Sequence, residues 1–186
     1  MKIDQNATGK RIMILDTSAF VAGFDPFSVR EEQIAPPKVE EEVKRNSMTL
    51  LRFSMAVENG RLKIFAPSQE FMNEVKASAK TVGDSFFLSE TDKQVLALAL
   101  EVKARGDNPQ ILTDDYSIQN VAKLLGVEYV SLVTFGIKRL LTWIRYCPAC
   151  HKTYPANFKA TDCSICGTAL KRKPQRNATK TGMKTE

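Results

Sequence analysis

The sequence predicts an α/β fold in which a parallel sheet is covered by helices, with a small cysteine module and a basic tail behind it. Three observations lead there. Short apolar runs of strand length alternate with longer helix-like stretches through most of the chain. All four cysteines fall in the last quarter, as CPAC (147–150) and CSIC (163–166). The charge divides at about the same point: of a net +6 over 186 residues, Arg145 to Glu186 carries nine Lys/Arg against two acids, and the first 144 residues are net −1. A neutral body with a basic end points to a polyanion, nucleic acid foremost. A composition of 43% hydrophobic and 26% charged residues excludes disordered and fibrous classes. No apolar run approaches the roughly 18 residues of a membrane span. The polar lead MKIDQNATGK before RIMIL does not resemble a secretory signal. The expectation is therefore a cytoplasmic protein with no membrane partner.

After the lead (1–10), RIMIL (11–15) is a buried strand ending at Asp16. Residues 24–36 lack periodicity and read as a loop. Pro37 suits a helix first turn running through VEEEVKR, and MTLLRFSMAVENG is a second helix stopped by Gly60. RLKIF (61–65) is a strand ended by Pro67, SQEFMNEVKASAK a helix, and Gly83 the centre of a loop. Ser89 followed by Asp92 has the spacing of a capping box, and Gly106 closes the helix that it opens. QILT (110–113) is a strand running into Asp114 and Asp115, YSIQNVAKLLG a helix and VEYVSLV a last strand. Strands alternating with helices imply a parallel sheet with both faces covered. The expected divisions are 11–140 for this domain, 141–171 for the cysteine module and 172–186 for a flexible basic tail.

Two CxxC pairs separated by twelve residues fit a zinc ribbon, in which Cys147, Cys150, Cys163 and Cys166 close a tetrahedron of thiolates around one Zn²⁺. Two disulfides are the alternative, disfavoured by the absence of an export signal. A redox CxxC normally occurs once, beside a βαβ pattern. His151 is a possible competing ligand, but four cysteines fill the shell. A closed site of this kind is architectural.

In parallel sheets function collects beyond the C-terminal ends of the strands. Asp16 and the Asp114/Asp115 pair fall there, and Asp92 lies in a helix first turn facing the same edge. In Glu40-Glu41-Glu42, successive side chains diverge by about 100°, so one alone points inward with Val39 and Val43. A single such acid reads as a helix cap. Several converging ones repel, and a hard cation is their reason; oxygen-only ligands favour Mg²⁺ or Mn²⁺.

MILDTSAF, PPKVEEEV, LSETDKQVLALAL and ILTDDYSIQNVA, in this order, resemble the four acidic motifs of PIN-domain ribonucleases. The ribbon that follows and the DDYSIQNVA stretch are similar to the Nob family, endonucleases that mature the 3′ end of small-subunit ribosomal RNA. The resemblance covers about residues 10–170. It implies a PIN-like domain and metal-binding or catalytic roles for Asp16, Glu42, Asp92 and Asp115. Thr113 and Asp115 match the family's Thr-x-Asp, with Asp114 at the variable position, where it could bind metal through water. Glu42 is preferred among the three glutamates because the family's glutamate precedes an apolar residue, here Val43. Thr17 and Ser18 match the hydroxyls that position substrate or a metal-bound water.

The chemistry implied is metal-assisted hydrolysis of a phosphodiester in precursor ribosomal RNA, with one or two Mn²⁺ or Mg²⁺ ions. The partners implied are the small ribosomal subunit and ribosome-assembly proteins. The sole histidine, His151, cannot supply a pair of imidazoles for metal-free RNA cleavage. KRKPQR, with Lys171, Arg172 and Lys173, reads as a flexible arm for the RNA backbone. Trp143, Tyr146 and Tyr154 read first as ribbon or interface core and second as candidates for base stacking. The rival readings are an RNA-binding assembly factor without activity and a toxin-type PIN ribonuclease.

Overall fold

The computed structural model describes residues 9–81, 88–132, 143–155 and 157–174. The chain forms two compact units, 1–140 and 141–186. The loop expected around Gly83 lies outside the described residues, as does the tail beyond Pro174.

The first unit is built on a five-stranded parallel sheet of β1 (Arg11–Leu15), β2 (Glu32–Ala35), β3 (Leu62–Ile64), β4 (Asn108–Leu112) and β5 (Glu128–Val130), in spatial order β3-β2-β1-β4-β5. The helices are α1 (Thr17–Val21), α2 (Pro37–Val43), α3 (Ser47–Glu58), α4 (Gln69–Thr81), α5 (Glu90–Ala104) and α6 (Tyr116–Leu124). The central strand β1 pairs with β2 through Ile12, Met13 and Ile14 and with β4 along its whole length. Its last four residues are buried, as a strand covered on both faces must be. The core gathers Ile14, Leu15, Phe20, Val39, Leu62, Leu96, Ile111 and Ile118, all essentially inaccessible. Phe20 meets Phe53 edge to face at a centroid distance of 5.3 Å, a geometry worth about 0.5–1.5 kcal/mol beyond area burial. In α5 eight residues are buried, Val95 through Leu100 without interruption; this helix is enclosed nearly all round.

Three elements depart from expectation. The loop expected over 24–36 contains β2. Glu32 and Gln33 disguise it, but Gln33 is fully buried and its Nε2 donates to the Pro26 carbonyl at 2.8 Å. Asp16 starts a five-residue helix, α1, too short to leave a periodicity. Strand β4 begins two residues before QILT and includes Pro109. Asn108 N–H points to Lys10 of the β1 side, so the missing N–H of Pro109 faces the other side, where pairing with β5 starts only at Gln110. Proline is tolerated there because no ladder bond is lost.

The second unit holds an antiparallel sheet of β6 (Trp143–Tyr146), β7 (Thr153–Pro155) and β8 (Lys171–Pro174), in order β7-β6-β8. This corrects the expectation that the flexible tail starts at 172. Lys171, Arg172, Lys173 and Pro174 pair with Tyr146, Arg145, Ile144 and Trp143. Like charges stand opposite at Arg145 and Arg172, which normally disfavours pairing. Arg145 turns its charge into the unit, donating Nη1 to the carbonyls of Phe158 (3.0 Å) and Ala160 (2.7 Å). Lys173 lies over the Tyr146 ring at 4.7 Å. Among the described residues no helix is long and apolar enough to cross a membrane.

Candidate active site and metal centre

Because all five strands run parallel, their C-terminal ends share one edge, and the acids are set there by the turns that follow. Asp16 N–H bonds the Leu112 carbonyl at 3.2 Å, tying the end of β1 to that of β4; Thr113 N–H continues to Val130 at 3.0 Å. Each of three aspartates then caps a helix with one oxygen. Asp16 Oδ2 accepts from Ser18 N, from Ser18 Oγ at 2.6 Å and from Thr113 Oγ1 at 2.8 Å. Asp115 Oδ1 accepts from Ser117 N at 2.6 Å and Ile118 N at 3.3 Å, at the start of α6. Asp92 Oδ2 accepts from Ser89 N at 2.7 Å while Ser89 Oγ accepts from Asp92 N, the reciprocal capping box before α5. Thr17 N–H and the Ser89 hydroxyl add contacts to the carboxylates of Asp16 and Asp92. A helix N-terminus therefore orients each carboxylate.

The electrostatics fit a cation. Asp16 is 4% exposed, and burial raises its pKa above the ordinary carboxylate value against the lowering effect of its hydroxyl partners. Asp92 is pushed up to about 6, first by burial and further by the charges of Asp16 and Asp115. Asp92 thus feels the other two carboxylates across the edge, and the repulsion is what a divalent ion would relieve. Their all-oxygen donor set suits a hard cation.

Glu42 behaves differently. On α2 it is the one of the three glutamates that faces the acids: Glu40 pairs outward with Lys44 at 3.1 Å and Glu41 with Lys38 at 2.7 Å. Both Glu42 oxygens are taken, Oε2 by Thr17 Oγ1 at 2.7 Å and Oε1 by Thr91 Oγ1 at 2.6 Å. Sequence reasoning missed Thr91, although it directly precedes Asp92. Thr17, Ser18 and Thr113, expected at the substrate or a metal-bound water, each turn their hydroxyl onto a carboxylate. Asp114 Oδ1 accepts from Ser131 Oγ and from Leu132 N at 3.0 Å and so fastens the segment after β5.

The cysteines close much more tightly. Their four sulfurs all lie within 4.8 Å of one another, with Cys147–Cys166 at 3.3 Å and Cys150–Cys163 at 3.4 Å. A tetrahedral site with ~2.3 Å Zn–S bonds has sulfurs about 3.8 Å apart, so the quartet fits one zinc ion. Among the described residues it is the one group of three or more potential ligands drawn together to this degree. The two knuckles match. Cys150 N points to the sulfur of Cys147 and Ile165 N to that of Cys163, each at 3.4 Å. The residue after each pair takes a left-handed conformation, Gly167 at φ 71° and His151 at φ 60°. His151 thus occupies a turn position, exposed and outside the ligand set. Tyr154 O–H, which accepts from Ser164 N, donates to Cys163 Sγ at 3.1 Å and pulls that thiol down to about 6. Buried and stacked on Phe158 at 4.4 Å, Tyr154 is ribbon core. Lys171 is exposed, Arg172 and Lys173 half-buried.

Comparison with known proteins accords with this geometry. A family described as the PIN domain of ribonuclease matches residues 13–102. The endoribonuclease Nob1 of Methanothermobacter thermautotrophicus is 36% identical over 177 residues, 95% of this chain and all of that protein. The endoribonuclease Nob1 of Methanocaldococcus jannaschii is 36% identical over 88% of this chain and 78% of its own. The ribonuclease VapC1 of Thermoplasma acidophilum is 35% identical over 87% of this chain and 77% of its own. With the acid edge and the cysteine quartet on one chain, and Nob1 identity running from end to end, this protein belongs to the Nob1 family of PIN-domain endoribonucleases.

Proposed function

We propose that the protein hydrolyses one phosphodiester bond in precursor ribosomal RNA and so matures the 3′ end of the small-subunit RNA, in the cytoplasm and on the small ribosomal subunit with its assembly proteins. The observation that carries this is the group of three aspartates, each oriented through one oxygen at a helix start. Asp16, Asp92 and Asp115 would hold one or two Mn²⁺ or Mg²⁺ ions, with Glu42 behind them. The ions supply a water of lowered pKa and neutralise charge building on the phosphate.

The protein's own part is placement. Asp16 is locked by Ser18 and Thr113, Asp115 by the first turn of α6 and Asp92 by Ser89. The openness of the acid group, against the closed cysteine quartet, suits an ion that keeps waters and takes up substrate phosphate. The four cysteines hold zinc as an architectural ion, and the exposed cations of the ribbon supply the counter-charge that a carboxylate-lined edge lacks.

Incubation of the full chain with end-labelled ribosomal RNA precursor and Mn²⁺ or Mg²⁺ tests the reading. The expected result is one metal-dependent cut, lost in Asp16→Asn. No cut with the wild-type protein, or equal cutting of unrelated RNA, overturns it.

A further inference from the structure

Glu42 turns both of its oxygens onto threonine hydroxyls. The two threonines sit beside the aspartates in the chain: Thr17 follows Asp16 and Thr91 precedes Asp92. They come from segments far apart in sequence, the turn after β1 and the first turn of α5, and one carboxylate spans them with bonds of 2.7 and 2.6 Å. Thr91 is 4% exposed, so its hydroxyl has no water to turn to. Helix α2 packs against both α1 and α5, and Lys38 N–H bonds Gln94 Oε1 at 3.3 Å, so the base of the bridge is itself held.

We propose that Thr91, together with Thr17, makes Glu42 a strut that sets the separation of Asp16 and Asp92; this rests on the acid edge being the cleavage site. The physical need is clear. Asp16 and Asp92 repel one another, so without a tie the two loops relax apart and the metal must draw them back. Hydrogen bonds to a charged carboxylate are the short, strong kind suited to holding that spacing. Glu42 adds negative potential to the site, and Thr91 is a positioning residue acting through it.

The test compares Thr91→Val, which removes only the hydroxyl, with Thr91→Ser, which restores it. Mn²⁺ binding to the full chain without RNA is followed by the paramagnetic resonance of the free ion, beside kcat, KM for RNA and Tm without metal. For Thr91→Val we expect Mn²⁺ affinity and kcat each to fall by roughly 10- to 100-fold, the range for outer partners of metal ligands, with KM within about twofold. Thr91→Ser should recover both. A Thr91→Val protein that binds Mn²⁺ and cuts as wild type overturns the strut, as does a loss that serine fails to rescue. Should Thr91→Val not fold, Thr17→Val removes the donor to the other oxygen at a half-buried position. It must show the same joint loss, and unchanged metal binding there refutes the proposal. An Asp16→Asn protein that still cuts at the wild-type rate would instead overturn the active-site reading itself.

Discussion

The two units solve the problem of holding acidic and thiol ligands by opposite means. Among the described residues of the first unit thirty buried apolar side chains form one core, and the carboxylates are carried on its rim by helix starts that would exist without any ion. Among those of the second the buried cluster is Cys147, Tyr154 and Cys163, with Phe158 and Leu170 against it. Two of these three belong to the cysteine quartet. A core that small cannot offset the entropy of ordering the unit. On the proposed reading, the fold positions a metal in one unit, and in the other a metal provides the fold.

The largest effect should separate them outright. Cys163→Ser, or strong chelation, removes binding energy of roughly 10–16 kcal/mol by analogy with zinc fingers. Amide spectra of the full chain should then lose the dispersed signals of Thr153–Pro155 and Lys171–Pro174 while those of β1 and β4 stay put. Equal loss in both units would show that the body too depends on the thiolate ion.

A second test probes the body without metal. Asp92 titrates near 6 when folded and near 4 when unfolded. Between those values the folded state holds the extra proton, so the metal-free protein loses stability as pH rises through this window. Melting temperatures in chelator from pH 4 to 7 should fall with pH, and less steeply in Asp92→Asn, whose amide oxygen keeps the capping bond. Parallel curves for the two proteins would remove Asp92 from the electrostatic account.

Next comes the division of labour over RNA. Lys171→Ala with Lys173→Ala should leave cleavage chemistry intact and make the log–log salt dependence of binding shallower by about 1.4, two phosphate contacts at ~0.7 each. An unchanged slope would mean that this strand does not face the backbone. The smallest effect concerns the knuckles. His151→Gly relieves a side chain held at φ 60°, and the gain is partly cancelled by the freer unfolded chain. The ribbon should gain up to about 1 kcal/mol, read as slower zinc release to a chelator; faster release would contradict the turn assignment.

How much was legible in the sequence follows the same divide. RIMIL, RLKIF and the Ser89–Asp92 cap announce themselves through apolar runs and one local spacing, and CPAC with CSIC through chemistry that few other arrangements need. β2 was not legible because a strand inside a sheet needs only to be buried, and Gln33 meets that by bonding Pro26 rather than by being apolar. β8 was hidden because KRKP has the composition of a solvated arm, and only its pairing with Trp143–Tyr146 orders it. The acids were found as residue types at strand ends. Which oxygen each uses, the departure of Asp114 toward Ser131, and the hydroxyl of Thr91 meeting Glu42 from 49 residues away depend on tertiary contacts that no local pattern encodes.

The doubling of Asp16, Asp92 and Asp115 as helix-start residues and proposed ligands bears on how such chains lose activity over time. Asparagine caps a helix as well as aspartate does but brings no charge to the edge. A duplicated gene released from selection for cutting could therefore exchange these aspartates for asparagines one by one, at no cost to folding. Alanine or valine there would be purged for instability first. Chains of this architecture that have become silent scaffolds should be recognisable by asparagine at these three places, and a Glu42 that persists in them would be there for its threonines.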